Sequence, residues 1–380
     1  MRSRLLAFIS IVQAILFVAH WFVYGTLSYF RGGWASSLGV KLAFALLSVS
    51  FVLASLRGWY SFHPLVRVIY SASAIWLGFA SFFLLASISC WIVYGISAVA
   101  GLGFERAAIA DCAFAAAVVA GLCGMLNAAL PRVVRLKVTL ANLPSQWRGR
   151  TAALVSDLHL GHVRNGRFVT RVVSKIAELR PDIVLVAGDL YDGVAANFTG
   201  LAQPWKRLTS QPGQQAAAAP HRPPFGVYYI AGNHEEFYRN AEYLPPLLDS
   251  GVRVLNNEKV DVDGLQLAGV HYRDAAHPER YRAVLQSMKL DRGRACVLLL
   301  HAPVQLPISE AEGVSLQLSG HTHGGQIFPW TLIAQRVWGK FIHGLQLFGK
   351  MWVYTTYGTG TWGPPLRLGT TPEIVLITFV

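Results

Sequence analysis

Four long apolar runs dominate the first 130 residues: Leu5–Phe30, Leu38–Leu56, Val68–Val93 and Ala107–Leu130. Each is long enough to carry an α-helix across the hydrocarbon of a bilayer. Lipid offers no partner to a free backbone N–H or C=O, so spanning helices are what such runs must form. Met1–Ala19, with Arg2 and Arg4 ahead of an apolar stretch, has a competing reading as a cleaved secretory signal. No small-x-small cleavage site follows it, however, and three further spans would still need a membrane. The expectation is a multi-pass membrane region over residues 1–130.

Charge divides the chain at nearly the same place. Residues 1–150 hold 12 Lys/Arg against 2 Asp/Glu, whereas residues 151–380 hold 21 against 18, so most of the net charge of +13 flanks the apolar runs. Basicity of that kind marks membrane flanks rather than a nucleic-acid surface, and nucleic acid is excluded as the expected partner. With four spans, one side of the membrane receives Arg2, Arg4, Arg57, Arg67, Arg132, Arg135, Lys137, Arg148 and Arg150. The other receives Arg31, Lys41 and Arg106. The excess of cations places everything after Leu130 in the cytoplasm, for a bacterial chain on the inner face of the inner membrane. Cys90, Cys112, Cys123 and Cys296 show no disulfide framework, as a cytosolic face requires. His20, Asp111 and Asn127 interrupt the spans and are read as sitting near span ends or bonding between helices rather than lining a path.

Pro131 closes the fourth run, and residues 131–150 read as a basic juxtamembrane connector. From Thr151 the texture changes to short apolar runs, each ending in polar residues: "TAALVSD", "PDIVLVAGD", "GVYYIAGNH", "ACVLLLHAP" and "VSLQLSGHTH". These read as buried strands that deliver their polar residues at C-terminal ends. Phe168, Val172, Ile176 and Leu179 recur at helical spacing and "RPD" stops that helix, which makes a β-α-β unit. Further helices are expected at Ala241–Ser250 and Pro278–Met288, giving a layered α/β domain over 151–380. Thr209–Gly226, biased toward Gln, Ala and Pro, reads as a mobile surface insertion.

In chain order the strand ends present Asp157 and His159, then Asp189, then Asn233 and His234, then His301, then His321 and His323. Taken alone each fragment is weak: a D-x-H match is usually accidental, and a single histidine in an apolar run is usually a satisfied core residue. Five in order, each ending an apolar run, are not accidental. Extended backbone turns residues i and i+2 to one face, so Asp157 with His159, and His321 with His323, are expected to converge. Carboxylate, imidazole and amide oxygen form a donor set suited to Mn, Fe or Zn and poor for Ca. Two nearby cations suit such pairs, with the central Asp189 as the natural bridge. Gly188, Gly232, Gly320, Gly324 and Gly325 are expected to let backbone approach closely or take positive φ.

The series D-x-H, GDxxD, GNH[DE], H and GHxH resembles the calcineurin-like metallophosphoesterase superfamily over about Ala152 to Val380. "GHTHGGQ", "GTGTWGPPLRLG" and "PEIVLIT" are similar to the branch containing bacterial YkuE-type phosphodiesterases and a UDP-2,3-diacylglucosamine pyrophosphatase. The resemblance implies a four-layer α/β/β/α sandwich behind the membrane helices. It implies that Asp157, His159, Asp189 and His323 hold one divalent transition metal, and that Asp189, Asn233, His301 and His321 hold the other, manganese being the first expectation. His234 would contact phosphate and assist the leaving group, and Asp192 would support a ligand. Two such cations would grip a phosphoryl group, acidify a water and neutralise charge developing on phosphorus.

Ile327–Lys350 mixes Phe328, Trp330, Trp338, Phe341 and Phe348 with Arg336, Lys340 and Lys350. It reads either as a membrane-interfacial or acyl-binding surface or as a segment packed into the domain. Arg367 is a candidate for substrate phosphate, against ordinary surface pairing. His162, His271, His343 and Glu235 carry no assignment. The expected function is hydrolysis of a phosphoester or pyrophosphate in a lipid-linked substrate such as UDP-2,3-diacylglucosamine. The competing readings are a phosphodiesterase for a soluble nucleotide with the spans as tether, and a non-catalytic membrane sensor.

Overall fold

The computed structural model describes residues 2–209, 221–238 and 240–380, with side chains from Leu6 onward. The chain divides into two compact units, residues 1–127 with 363–366 and residues 128–362 with 367–380. The expected insertion therefore lies mostly outside the described residues, since 210–220 are among those left out.

The first unit contains helices α1 (Arg2–Arg31), α2 (Leu38–Gly58), α3 (Pro64–Val99) and α4 (Arg106–Ala129), the last ending just past the unit boundary. All four are long and apolar enough to cross a membrane. Local chemistry sets their ends. Gly32 and Gly33 adopt positive φ after α1. The Ser37 side chain accepts the Val40 N–H at the start of α2, and His63 accepts the Leu65 N–H while Pro64 opens α3. Polar side chains do bond between helices: Trp76 Nε1 donates to His20 Nε2 at 2.8 Å, Trp91 Nε1 to Thr26 Oγ1 at 2.9 Å, and Arg31 pairs with Asp111 at 3.0 Å. The four cysteines are free.

The second unit is built on two mixed sheets. One runs β1 (Arg132–Val138), β12 (Glu373–Phe379), β2 (Thr151–Val155), β3 (Ile183–Ala187), β4 (Val227–Ile230), β5 (Arg253–Val254). The other runs β10 (Gly344–Phe348), β11 (Met351–Thr355), β9 (Leu316–Ser319), β8 (Cys296–Leu299), β7 (Leu265–Gly269), β6 (Glu258–Val262). Strands β2, β3, β4 and β5 are mutually parallel, as are β7, β8, β9 and β11.

Alternation along each strand makes the layers. Leu154, Leu185 and Ile230 face Leu267, Val297 and Leu318 across an inner core, while Val155, Val184 and Tyr229 point outward. The outward residues of the first sheet are covered by α5 (Gly166–Leu179), whose Phe168, Val169, Val172, Val173 and Ile176 are buried. Asn165 caps α5, and Arg180 ends it in the left-handed region just before Pro181. The second sheet is covered by α9 (Pro278–Ser287) and α10 (Leu306–Ala311) through Tyr281, Leu285 and Ile308. Shorter helices are α6 (Phe198–Ala202), α7 (Leu244–Asp249) and α8 (Tyr272–Ala275), and α11 (Trp330–Trp338) follows β9. The result is the expected helix–sheet–sheet–helix sandwich.

Two expectations shift. The helix expected over Ala241–Ser250 is only Leu244–Asp249, because Pro245 and Pro246 lack N–H groups and are tolerated only in a helix's first turn. The basic stretch 131–150 is not a free connector: Arg132–Val138 pairs in parallel with β12 along its whole length. Val134, Leu136 and Val138 alternate with Arg135 and Lys137, a strand pattern masked by the cations.

Candidate metal centre

Parallel strands end on one side, and the ends of β2, β3, β4, β8 and β9 carry every residue expected at the site. Backbone bonds stitch the loops together beyond the strands: Asp157 N–H donates to Gly188 O, His159 N–H to Asp189 O, and Gly320 N–H to His301 O. Two glycines permit the closeness. A Cβ at Gly320 would overlap the Asp157 carboxylate, and one at Gly232 would overlap Asp189.

The side chains converge in two groups that share Asp189. In the first, His159 Nε2 lies 3.0 Å from His323 Nε2 and 3.7 Å from Asp189 Oδ2, and His323 Nε2 lies 3.3 Å from Asp157 Oδ1. In the second, His301 Nε2 lies 3.2 Å from Asp189 Oδ2 and 3.1 Å from Asn233 Oδ1, which in turn lies 2.8 Å from His321 Nδ1. His321 Nδ1 and His301 Nε2 are 3.2 Å apart. All seven expected ligands are thus brought together, and His234 joins His159 and Asp189 within ligand distance of one another.

Inward nitrogens are freed by what the opposite nitrogens do. His159 Nδ1 lies 3.1 Å from Asp192 Oδ1, and His301 Nδ1 lies 2.8 Å from the Ala187 carbonyl. Each Nδ1–H is thereby donated outward, which leaves Nε2 facing the centre, where it offers a lone pair once its own proton is displaced by a cation. Asp192 fills the supporting position expected for it. Lone pairs crowded this closely repel unless a cation or proton sits among them, so the donor chemistry fits divalent metal ions.

Charge reinforces that reading. Burial works against ionising Asp189, yet the imidazoles of His301, His234 and His159 outweigh it and hold the carboxyl well below the usual range. Burial also works against charging His301, but Asp189 and Asp157 push its imidazole up to about 10. His321 is pushed down to about 3 by burial and by its neighbour His301. Burial, with His159 and Arg367, keeps His323 well below the ordinary histidine range. Asp157 is raised by burial and by repulsion from Asp189.

The expected reason for convergence proves to be different. Asp157, His159, Asp189, His321 and His323 all have φ between 47° and 71°, the left-handed region, and none lies in an extended segment. The x-spaced pairs meet because tight loops past the strand ends curl both residues inward. Non-glycine residues seldom adopt this conformation, and its concentration at five of the seven donors marks strain held by the surrounding fold.

Arg367 corrects another expectation. It is fully buried, and its guanidinium donates to the carbonyls of Tyr357, Gly360 and His323 and to Thr370 Oγ1. With its donors committed inside the protein it braces the His323 loop, and it serves neither as a phosphate clamp nor as a surface partner. Glu235, left unassigned by the sequence, is wholly buried in the same region. Its Oε1 accepts the Tyr191 N–H, and its Oε2 accepts those of Asp189 and Gly232, so one carboxylate ties the β3 loop to the β4 loop. Burial and the charge of Asp189 push it up to about 7. The usable signal was an acidic residue immediately after two site residues, on loops whose amides need acceptors. His271 pairs with Glu236, and His343 stacks on Tyr357 and meets Glu373; neither joins the centre.

Comparison with known proteins decides the family. The family model for calcineurin-like phosphoesterases matches residues 151–325. A metallophosphoesterase of Aquifex aeolicus is 31% identical over 229 residues, covering 59% of this chain and 82% of its own length. The chain belongs to the metallophosphoesterase family. A Danio rerio transmembrane protein with a metallophosphoesterase domain is 31% identical over 67% of this chain and 59% of its own length. The metallophosphoesterase YkuE of Bacillus subtilis is 26% identical over 62% of this chain and 81% of its own length. This chain spans about 60% of the first of these curated relatives. Its family is one of phosphoesterases, and the clustered His and Asp side chains could hold metal ions.

Proposed function

We propose that this membrane metallophosphoesterase hydrolyses a phosphoester or pyrophosphate bond in a lipid-linked substrate, a UDP-2,3-diacylglucosamine-type molecule being the leading candidate. The observation that carries the hydrolytic reading is Asp189 Oδ2 standing within reach of both His159 and His301, between two groups of inward lone pairs. Asp157, His159, Asp189 and His323 would hold one ion and Asp189, Asn233, His301 and His321 the other, with manganese favoured and iron or zinc also suited to the donors. Bound there, such ions supply charge neutralisation and water activation.

The chain's own residues do the rest. Asp189, held anionic, fixes the spacing of the two groups. Asp192 carboxylate and carbonyl orient His159 and His234, the His234 Nδ1 lying 3.0 Å from the Asp192 carbonyl. His234 Nε2 is thereby aimed at the centre, where in its protonated form it donates to the departing oxygen. The rings of Trp362, Phe237 and His159 pack around His234 at 5.9, 5.5 and 4.6 Å and fix the imidazole plane.

The lipid part of the reading is supported by four helices capable of spanning a bilayer and by the likeness to transmembrane relatives. The balance of flanking cations supports a cytoplasmic active site on the bacterial inner membrane. The deciding experiment compares turnover of a diacylated UDP-glucosamine with its deacylated analogue by the detergent-solubilised full chain. Preference for the acylated molecule supports the proposal. Equal rates would leave a phosphodiesterase acting on soluble nucleotides.

A further inference from the structure

Between residues 131 and 380, ten large apolar side chains are exposed among the described residues, and five of them fall within Phe328–Val337. They are Phe328, Trp330, Leu332, Ile333 and Val337, with Leu332 62% and Val337 68% exposed. Helix α11 contains no buried residue at all. At 100° per residue, the exposed Leu332, Arg336, Ile333, Val337 and Trp330 follow one another around one arc of about 160°. The half-buried Ala334, Trp338 and Thr331 form the side toward the domain: a Cβ at Gly325 would meet the backbone of Trp330 and Thr331, and the Thr331 side chain lies against Gly369. The helix thus sits on the domain by Thr331, Ala334 and Trp338 while Trp330, Leu332, Ile333 and Val337 face away. Isolated exposed apolar residues are ordinary, but a helix offering this many together needs a cover.

Charge and position point to what that cover is. Residues 327–350 contain Arg336, Lys340 and Lys350 and no Asp or Glu. Arg336 and Lys340 are exposed. Apolar groups bordered by cations suit the boundary between acyl chains and anionic headgroups. Its four helices are long and apolar enough to tie the chain to a bilayer, which would put this surface at a high local concentration of lipid. It also adjoins the centre, since the Trp338 ring lies 5.6 Å from that of His321.

We propose that Phe328 and α11 form a lipid-binding surface that seats in the interface of an anionic phospholipid bilayer. Its catalytic consequence, delivery of an amphiphilic phosphate laterally to the metal centre, rests on the lipid-substrate reading above. The seating itself does not.

The full chain is reconstituted in vesicles of phosphatidylcholine and phosphatidylglycerol in a Cys112→Ala, Cys123→Ala background, Cys90 and Cys296 being buried. Spin labels are placed by Ile333→Cys or Val337→Cys, with Leu248→Cys as an exposed control on α7. Labels at 333 and 337 are expected to relax more with oxygen than with a water-soluble nickel chelate, and the label at 248 the reverse. Nickel access at 333 and 337 overturns the proposal. Protection from both agents also overturns it, by assigning the face to a second copy of the chain. A companion variant, Ile333→Ser with Val337→Ser, is expected to lower the ratio of turnover on bilayer-held diacylated nucleotide sugar to turnover on a soluble aryl phosphodiester by about tenfold or more. If the acylated nucleotide sugar is not cleaved at all, the substrate reading fails, and label depth still decides the helix.

Discussion

Leu154 and Leu46 are the same residue in two regions with opposite fates. Leu154, central in β2, is wholly buried between the sheets, whereas Leu46 in α2 is 70% exposed. Two residues beyond Leu46, Ser48 is buried at 1% and donates its hydroxyl to the Ala45 carbonyl. His20 and Thr26 are likewise buried among the apolar helices, each accepting from a tryptophan N–H. In the sandwich many of the buried polar groups instead gather at the strand ends, around Asp157, Asp189 and His301. Apolar surface seeks whichever medium lacks water. For the sandwich that medium is its own interior, and for the helices it is lipid, so their polar residues turn toward each other. Helix α11 follows neither pattern, which is why it asks for a partner.

The comparison breaks most visibly at the chemistry. Asp189→Asn is expected to reduce hydrolysis of an aryl phosphodiester by about 10²-fold or more, by loss of the shared carboxylate, while membrane extraction is unchanged. Retained metal-dependent activity in steady-state assays would remove Asp189 from the centre. Leu154→Ala is expected to destabilise the sandwich by about 2–5 kcal/mol, whereas Leu46→Ala, facing lipid, leaves its denaturation midpoint where it was. Equal shifts of the two in chemical denaturation would contradict the assignment of solvents.

Asp192→Ala should lower metal affinity by roughly 10- to 100-fold, because His159 loses the acceptor that orients it; competition with a chelator reads this directly. A pH effect follows from His301. Its proton, retained up to about 10 in the metal-free protein, must leave when Nε2 takes a cation. Uptake near neutral pH should therefore release a proton, and affinity should rise with pH toward that value by at most about tenfold per unit. Titration calorimetry in buffers of differing ionisation enthalpy tests it, and buffer-independent heats would refute it. The smallest effect is expected for His20→Ala, about 0.6 kcal/mol in helix association, since the unfolded helices find other partners in the membrane. A förster-transfer measurement of helix separation in detergent would detect a larger loss.

Long apolar helices, strand ends and the seven side chains that converge were legible from residue order, because each depends on local information. A run of about 20 apolar residues allows one solution in lipid, and a buried strand ending in Asp or His declares where its polar residue emerges. Arg135 and Lys137 hid β1, whose register is set by a partner more than 200 residues away. Left-handed backbone at Asp157, His159, Asp189, His321 and His323 was not legible either, since nothing in those residue types calls for it and only contacts between loops enforce it. Arg367 looked like a surface cation, and Glu235 looked like nothing in particular. Tertiary structure alone decided that one would brace the His323 loop and the other would tie two ligand loops together. A buried charge is tolerated only where distant backbone groups converge to satisfy it, and that convergence exists only once the sandwich has closed.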